Sequence, residues 1–196
     1  DGAGTAWTRT LAGTGAMAYA ASGMQASAST VGSTSYFAHG EATAGTWYTS
    51  GGVWAWTVRL DTTSGGSRNH AVTIRMADAA GGYYYQVTVG ISSNAVNIID
   101  DVSASSGTIT GLTINTGSSG AFHIMRLYVG ATGTNCRLEV LDTSTGQWSQ
   151  STAVNLTRIP LGAGFTSFLR FGIQTIAVAG AQTSWWRDFQ CTMDGA

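Results

Sequence analysis

The stretch from Ala121 to Asp142, AFHIMRLYVGATGTNCRLEVLD, limits the possible folds more than any other part of the chain. Its second arm alternates. Cys136, Leu138 and Val140 fall on one side and Arg137 and Glu139 on the other, the two-residue period of a strand with one dry face. Its first arm, Phe122 to Val129, carries apolar side chains on both alternating sets, which reads as a central strand covered on both faces. Between the arms, Gly130-Ala131-Thr132-Gly133-Thr134 supplies the glycines that a short antiparallel connection needs. Long amphipathic helices require charged faces, and a chain with 10% charged residues can hardly build them.

The same period recurs along the chain. Trp54, Trp56, Val58 and Leu60 oppose Thr57 and Arg59; His70, Val72, Ile74 and Met76 oppose Ala71, Thr73 and Arg75; Tyr83, Tyr85, Val87 and Val89 oppose Tyr84, Gln86 and Thr88. These three strands read as a meander. Shorter strands are expected at Ala95 to Ile99, Thr108 to Ile114, Phe168 to Ile173, and Ala153 to Ile159, where Pro160 ends the pairing. In the closing strand, Trp185 to Met193, alternation puts Trp185, Arg187, Phe189, Cys191 and Met193 on one face and Trp186, Asp188, Gln190 and Thr192 on the other. Asp142 to Ser151 reads as a loop holding Trp148. The first 52 residues give the weakest pattern, with a strand or two across one sheet edge before Gly23 and an extended or edge strand in Met24 to Ser35. Roughly a dozen short strands in 196 residues imply a single all-β domain, an antiparallel two-sheet sandwich spanning residues 1–196.

Composition removes several functions. A net charge of −1 gives no long-range field of one sign, so nucleic acid and anionic membrane lose their usual attraction. No apolar run approaches the roughly 20 residues needed to span a bilayer. The chain opens at Asp1 without Met or a signal-type segment, which reads as a mature product or an excised piece. All nine basic residues are arginines, a mark of a GC-rich genome or of selection on a surface. Cys136 and Cys191 both fall at inward positions. They read equally well as one disulfide of an extracellular protein, stabilising by about 2–4 kcal/mol, or as two separate buried thiols. His39, His70 and His123 lack metal-ligand spacing, and His123 reads as a core residue.

Phe122-His123 running to Arg126-Leu127, then Gly130 and Leu138 to Asp142, resemble the concanavalin A-like jelly roll in its laminin-G-like form. Phe171-Gly172 and Trp185-Trp186-Arg187-Asp188-Phe189 are similar to that family's late strands. The resemblance covers Val53 to Met193 and implies a jelly-roll sandwich. The Gly/Ala/Thr-rich, lysine-free style also resembles modules in phage tail, fibre and decoration proteins, which implies an extracellular or virion-surface setting.

An enzyme on this fold is expected to flank a sugar bond with two carboxylates. The chain has only two glutamates, Glu41 and Glu139, far apart, and the adjacent Asp100 and Asp101 point to opposite faces of a strand. No Gly-x-Ser-x-Gly occurs, and the lysine-containing motif of the alginate-lyase branch is impossible here. The expectation is therefore a non-catalytic module without a cofactor. The resemblance leaves calcium open at the strand-end residues Asp61, Asp78, Asp100 and Asp101, although no Asp-x-Asp-x-Asp cluster exists. Sugars are held by aromatic platforms and fixed hydrogen-bonding groups. Trp186 with Asp188 and Gln190 offers that mixture, and Trp47, Trp148 and Tyr84 are further candidates. The expected partner is a glycan or host-surface receptor. The alternative is a neighbouring assembly subunit, another copy of this chain included, paired through an edge such as Met24 to Ser35.

Overall fold

The alternating apolar sets meet across a sandwich of two sheets. A computed structural model describes residues 7–39, 48–49, 51–62, 69–78, 82–112, 114, 121–143, 145–174 and 180–193. In chain order the strands are β1 Thr8–Ala12, β2 Ala16–Ala20, β3 Gly23–Ala28, β4 Thr34–His39, β5 Tyr48–Thr49, β6 Gly52–Thr62, β7 His70–Asp78 and β8 Tyr83–Ile91. There follow β9 Ala95–Asp100, β10 Ser106–Thr110, β11 His123–Val129, β12 Arg137–Asp142, β13 Gln147–Gln150, β14 Ile159–Pro160, β15 Phe168–Ile173 and β16 Gln182–Met193. A nine-stranded sheet runs β1-β4-β15-β7-β8-β9-β10, with β14 and β5 joining at β8 and β7, and a seven-stranded sheet runs β13-β12-β11-β6-β16-β3-β2. All pairings are antiparallel except the short bridge between β5 and β7. Among the described residues the only helical piece is a single 3₁₀ turn, Ala131–Gly133, and none is long and apolar enough to cross a membrane.

The opening hairpin is β11 and β12, paired from Ile124 with Leu141 to Tyr128 with Arg137. Its turn carries Gly133 at a φ of 71°, packed so closely that a Cβ there would lie 2.6 Å from the Tyr85 ring. Only glycine suits both demands. β11 is central in its sheet but is not covered on both faces. Met125, Leu127 and Val129 point into the core, whereas Arg126 is exposed and Ile124 and Tyr128 half-buried, because their side of the strand is the outer face of this sheet.

β7 and β8 form the expected hairpin, but β6 does not continue that meander. It lies in the other sheet between β11 and β16, so that Trp54, Trp56, Val58 and Leu60 face Val72, Ile74 and Met76 across the core. The stretch read as a loop around Trp148 is an edge strand, β13, paired with β12. β3, read as an edge, has neighbours on both sides, and the edges at that end are β2 and β1.

The closing strand breaks the simple alternation. Arg187 pairs with Thr57 but Gln190 with Ala55, so three steps on β16 match two on β6. This is a β-bulge, and Asp188 sits in it at a φ of 58°. One extra residue swaps the faces of everything after it. Trp186 before the bulge and Phe189 after it therefore both point inward. Phe189 stacks on Phe171 at 4.2 Å between ring centroids, Trp186 lies 5.7 Å from the same ring, and Phe171 stacks on Phe37 at 5.2 Å. Rings from both sheets thus knit the centre of the core.

Cys136 and Cys191 are free thiols. Between β12 and β16 stand β11 and β6, which puts about 14 Å between the outer two strands at 4.7–4.9 Å per step. A disulfide tolerates no more than about 7 Å between Cα atoms, so these two cannot bond. Burial pushes the Cys136 thiol up to about 11, against 9.0 ordinarily.

Buried His70 adds a pH dependence to stability. Burial lowers its imidazole from 6.5 to about 4, a fall only partly countered by the Nε2 to Gln182 Oε1 hydrogen bond of 3.0 Å. The folded state holds the ring neutral while the unfolded chain protonates it near 6.5. Its contribution is complete above pH 6.5 and is lost as the pH falls toward 4, a change of about 3 kcal/mol. Urea titrations at pH 7 and pH 4 are expected to show a drop smaller by about that amount in His70→Gln than in the parent. An equal drop in both proteins would rule out His70 as its source.

Candidate functional site

Each sheet presents one face to the core and one outward, and the two outward faces differ. On the seven-stranded sheet Trp148 is 43% exposed and the side chains of Arg187 and Asp188 are 44% and 57% exposed, although Arg59 and Asp61 on β6 are only 12% and 14% exposed. On the nine-stranded sheet the outward side chains of Thr73, Thr88 and Phe168 are only 3%, 6% and 2% exposed. The second face is recessed, and it is polar. Polar groups shielded from water must find partners, so their positions are fixed.

The floor is built by register. Phe168 on β15, Arg75 on β7 and Gln86 on β8 stand in one cross-strand row, and Arg170, Thr73, Thr88 and Ile99 in the next. Asp101, just past β9, receives hydrogen bonds at one carboxylate oxygen from Thr88 Oγ1 at 2.7 Å and Gln86 Nε2 at 3.0 Å. A hydroxyl has one proton, so Thr88, donating to Asp101, accepts from Thr73 at 2.8 Å, and Thr73 in turn accepts from Gln174 Nε2 at 2.8 Å. On the other branch Arg75 Nε donates to Gln86 Oε1 at 2.8 Å. Asp101 thereby orients two chains of planar or hydroxyl groups along the floor.

Rings border this network. The Arg75 guanidinium lies 4.5 Å from the Phe168 centroid and 5.5 Å from that of Tyr84, Arg170 lies 4.3 Å from Phe168 on its other flank, and Tyr84 packs against Phe165 at 4.9 Å. The pairing of Ile159 with Tyr84 carries the chain from β14 alongside this end of the floor.

The residues singled out in the sequence scatter. Tyr84 lies on the recessed face. Trp148, Asp188 and Gln190 lie on the outward face of the other sheet, with Trp148 under the Arg126 guanidinium at 4.4 Å and Asp188 held by Thr57 and Arg187. Trp186 is not a surface platform at all. It is fully buried, its Nε1–H donating to Ser184 Oγ at 2.8 Å, because its side of the strand faces the core until the bulge. Trp186 therefore does not share a face with Asp188 and Gln190. Trp47, like Glu41, lies outside the described residues. Thr73, Arg75, Gln86 and Thr88 were passed over because they are the ordinary polar alternates of amphipathic strands. The signal available was their repetition on consecutive strands.

The strand-end aspartates already have partners. Arg59 and Trp185 bind Asp61, Tyr85 and Arg158 bind Asp78, and Ser103 and Thr157 bind Asp100. Burial together with the Asp78 hydrogen bond pushes the Tyr85 phenol up to about 12. Among the described residues no group of three or more His, Cys, Asp or Glu side chains could hold a metal ion. All three histidines lie off the recessed face: His70 and His123 are fully buried, and His39 packs on Trp7 at 5.1 Å. Nδ1 of His123 approaches Asp142 at 3.8 Å beneath the seven-stranded sheet. What the face offers is a fixed set of donors, acceptors and ring surfaces.

No family model matches the chain, and no curated protein matches it. Solved structures do. Peanut lectin, in complex with a nine-residue peptide, superposes with a TM-score of 0.54 at 12% identity over 100% of this chain and 95% of the lectin. A Bacillus subtilis protein of unknown function with a galectin-like fold gives 0.54 at 9% identity, covering 95% and 89% of the two chains. A family 7 alginate lyase bound to its substrate gives 0.51 at 10% identity, covering 90% and 81%. With the strand order above, these likenesses make the fold a concanavalin A-like jelly-roll sandwich.

Proposed function

We propose that this chain is a non-catalytic recognition module that binds carbohydrate in the recess over the nine-stranded sheet. The observation that carries the reading is the shielded polar floor of Thr73, Arg75, Gln86, Thr88 and Gln174, ordered by Asp101 and bordered by Phe168 and Tyr84. Ring faces stack on sugar C–H surfaces, and prealigned planar groups meet hydroxyls without an ordering cost at binding. Lectins share this fold, and so does a lyase. Removal of a proton from a sugar needs a base in reach of the substrate; among the described residues the histidines lie elsewhere, the Asp101 carboxylate is engaged by Thr88 and Gln86, and the one further acid–base group named in the site is the Tyr84 phenol, which this reading assigns to stacking. The proposed setting is extracellular or on a virion surface, in keeping with the phage-like composition.

A second reading makes the chain an assembly subunit, for which Leu11, Tyr19 and Val31 stand exposed close to the edge strands β1 and β2. One experiment separates the two. On a glycan array the parent is expected to bind, Tyr84→Ala to lose at least about tenfold in affinity, as one stacking ring and its contacts are worth, and Trp148→Ala to bind like the parent. Loss in Trp148→Ala with Tyr84→Ala unaffected would move the site to the opposite face. A stable oligomer that binds no glycan would favour assembly.

A further inference from the structure

We propose that the sugar bound in this recess is acidic, and that the outer edge of the Arg75 guanidinium reads its carboxylate. The inference rests on the recognition reading above and names the ligand class for the same site. Arg59 pairs with Asp61 at 2.7 Å, Arg158 with Asp78 at 2.9 Å and Arg187 with Asp188 at 3.1 Å, whereas Arg126 and Arg137 stack on rings. Arg75 is of the second kind, and it stands on the shielded polar face. Its Nε–H is taken by the neutral Gln86 amide, and its plane is held by the rings of Phe168 and Tyr84. Among the described residues no carboxylate pairs with it, although it is half-buried. The nearest acid in its network, Asp101, is one residue removed and spends its Oδ2 on Gln86 and Thr88.

This leaves the two terminal nitrogens, whose parallel N–H bonds fit the two oxygens of a carboxylate. The geometry is already set, so a ligand carboxylate would gain a bidentate, charge-assisted contact with little ordering of the protein. A neutral sugar would leave the partly desolvated guanidinium without a counter-charge, and that asymmetry is the source of selectivity.

The test is titration calorimetry with a panel of oligouronates, each paired with its methyl ester, which keeps the sugar and removes the charge. The acid is expected to bind at least tenfold more tightly than its ester, with affinity falling as salt rises. Arg75→Lys keeps the charge but not the fork, and is expected to weaken acid binding about tenfold and ester binding by less, so that the acid-to-ester ratio shrinks, with melting recorded alongside. Equal affinity for acid and ester in the parent protein needs no variant to interpret. It would overturn the acidic preference and leave carbohydrate recognition standing. Binding of neither form, with a blank glycan array, would overturn both.

Discussion

Trp186→Ala is expected to destabilise the fold by about 3–5 kcal/mol, the usual cost of emptying a large aromatic site in a close-packed core. The indole is fully buried, touches the Phe171 ring, and gives its N–H to Ser184. Its removal leaves a cavity between the sheets and Ser184 without its donor. Urea denaturation of parent and variant gives the difference directly. A variant of unchanged stability that had lost glycan binding would return Trp186 to the surface and refute the inward side of the bulge.

Asp100→Ala is the second large loss, about 2–3 kcal/mol, because removing a buried acceptor shared by several donors takes a charge-assisted hydrogen bond from each and leaves those least able to reach water unsatisfied. Its carboxylate takes hydrogen bonds from Val102 N, Ser103 N, Ser103 Oγ, Thr157 N and Thr157 Oγ1. It therefore pins the turn after β9 to the crossover that follows β13, segments 57 positions apart in the chain. Burial alone would raise its pKa, but these hydrogen bonds outweigh burial and hold the carboxyl below the ordinary 3.8. The stability it gives is complete above 3.8 and is lost as the pH falls further. Asp100→Asn presents an amide N–H₂ to these donors and is expected to be destabilised as well, without that acid limb. A parent-like midpoint for Asp100→Ala would show that the crossover is held by other contacts.

Local period made the strands legible. β6, β7, β8 and β12 were readable because apolar and polar residues alternate over stretches long enough to leave no rival period, and the glycines after Val129 marked the hairpin. β13 was missed because Gln147-Trp148-Ser149-Gln150 has only one apolar residue in a strand whose pairing comes wholly from β12. Most of the candidate site was hidden for a similar reason. A polar alternate such as Thr73 or Gln86 looks the same in sequence whether its face is open or recessed.

By itself, then, the sequence determined which residues share a face within each uninterrupted strand, because that depends on backbone geometry alone. The tertiary structure decided everything that depends on neighbours remote in the chain. It sent β6 to the opposite sheet from β7, and it kept Cys136 and Cys191 three strands apart. It used one extra residue at Asp188 to turn both Trp186 and Phe189 inward, a shift set by pairing with β6 and invisible to periodicity. It also shielded Thr73, Thr88 and Phe168 on one outward face and left Trp148 in solvent on the other, which is why Tyr84 and Arg75 border the candidate site while Trp148 lies on the far side.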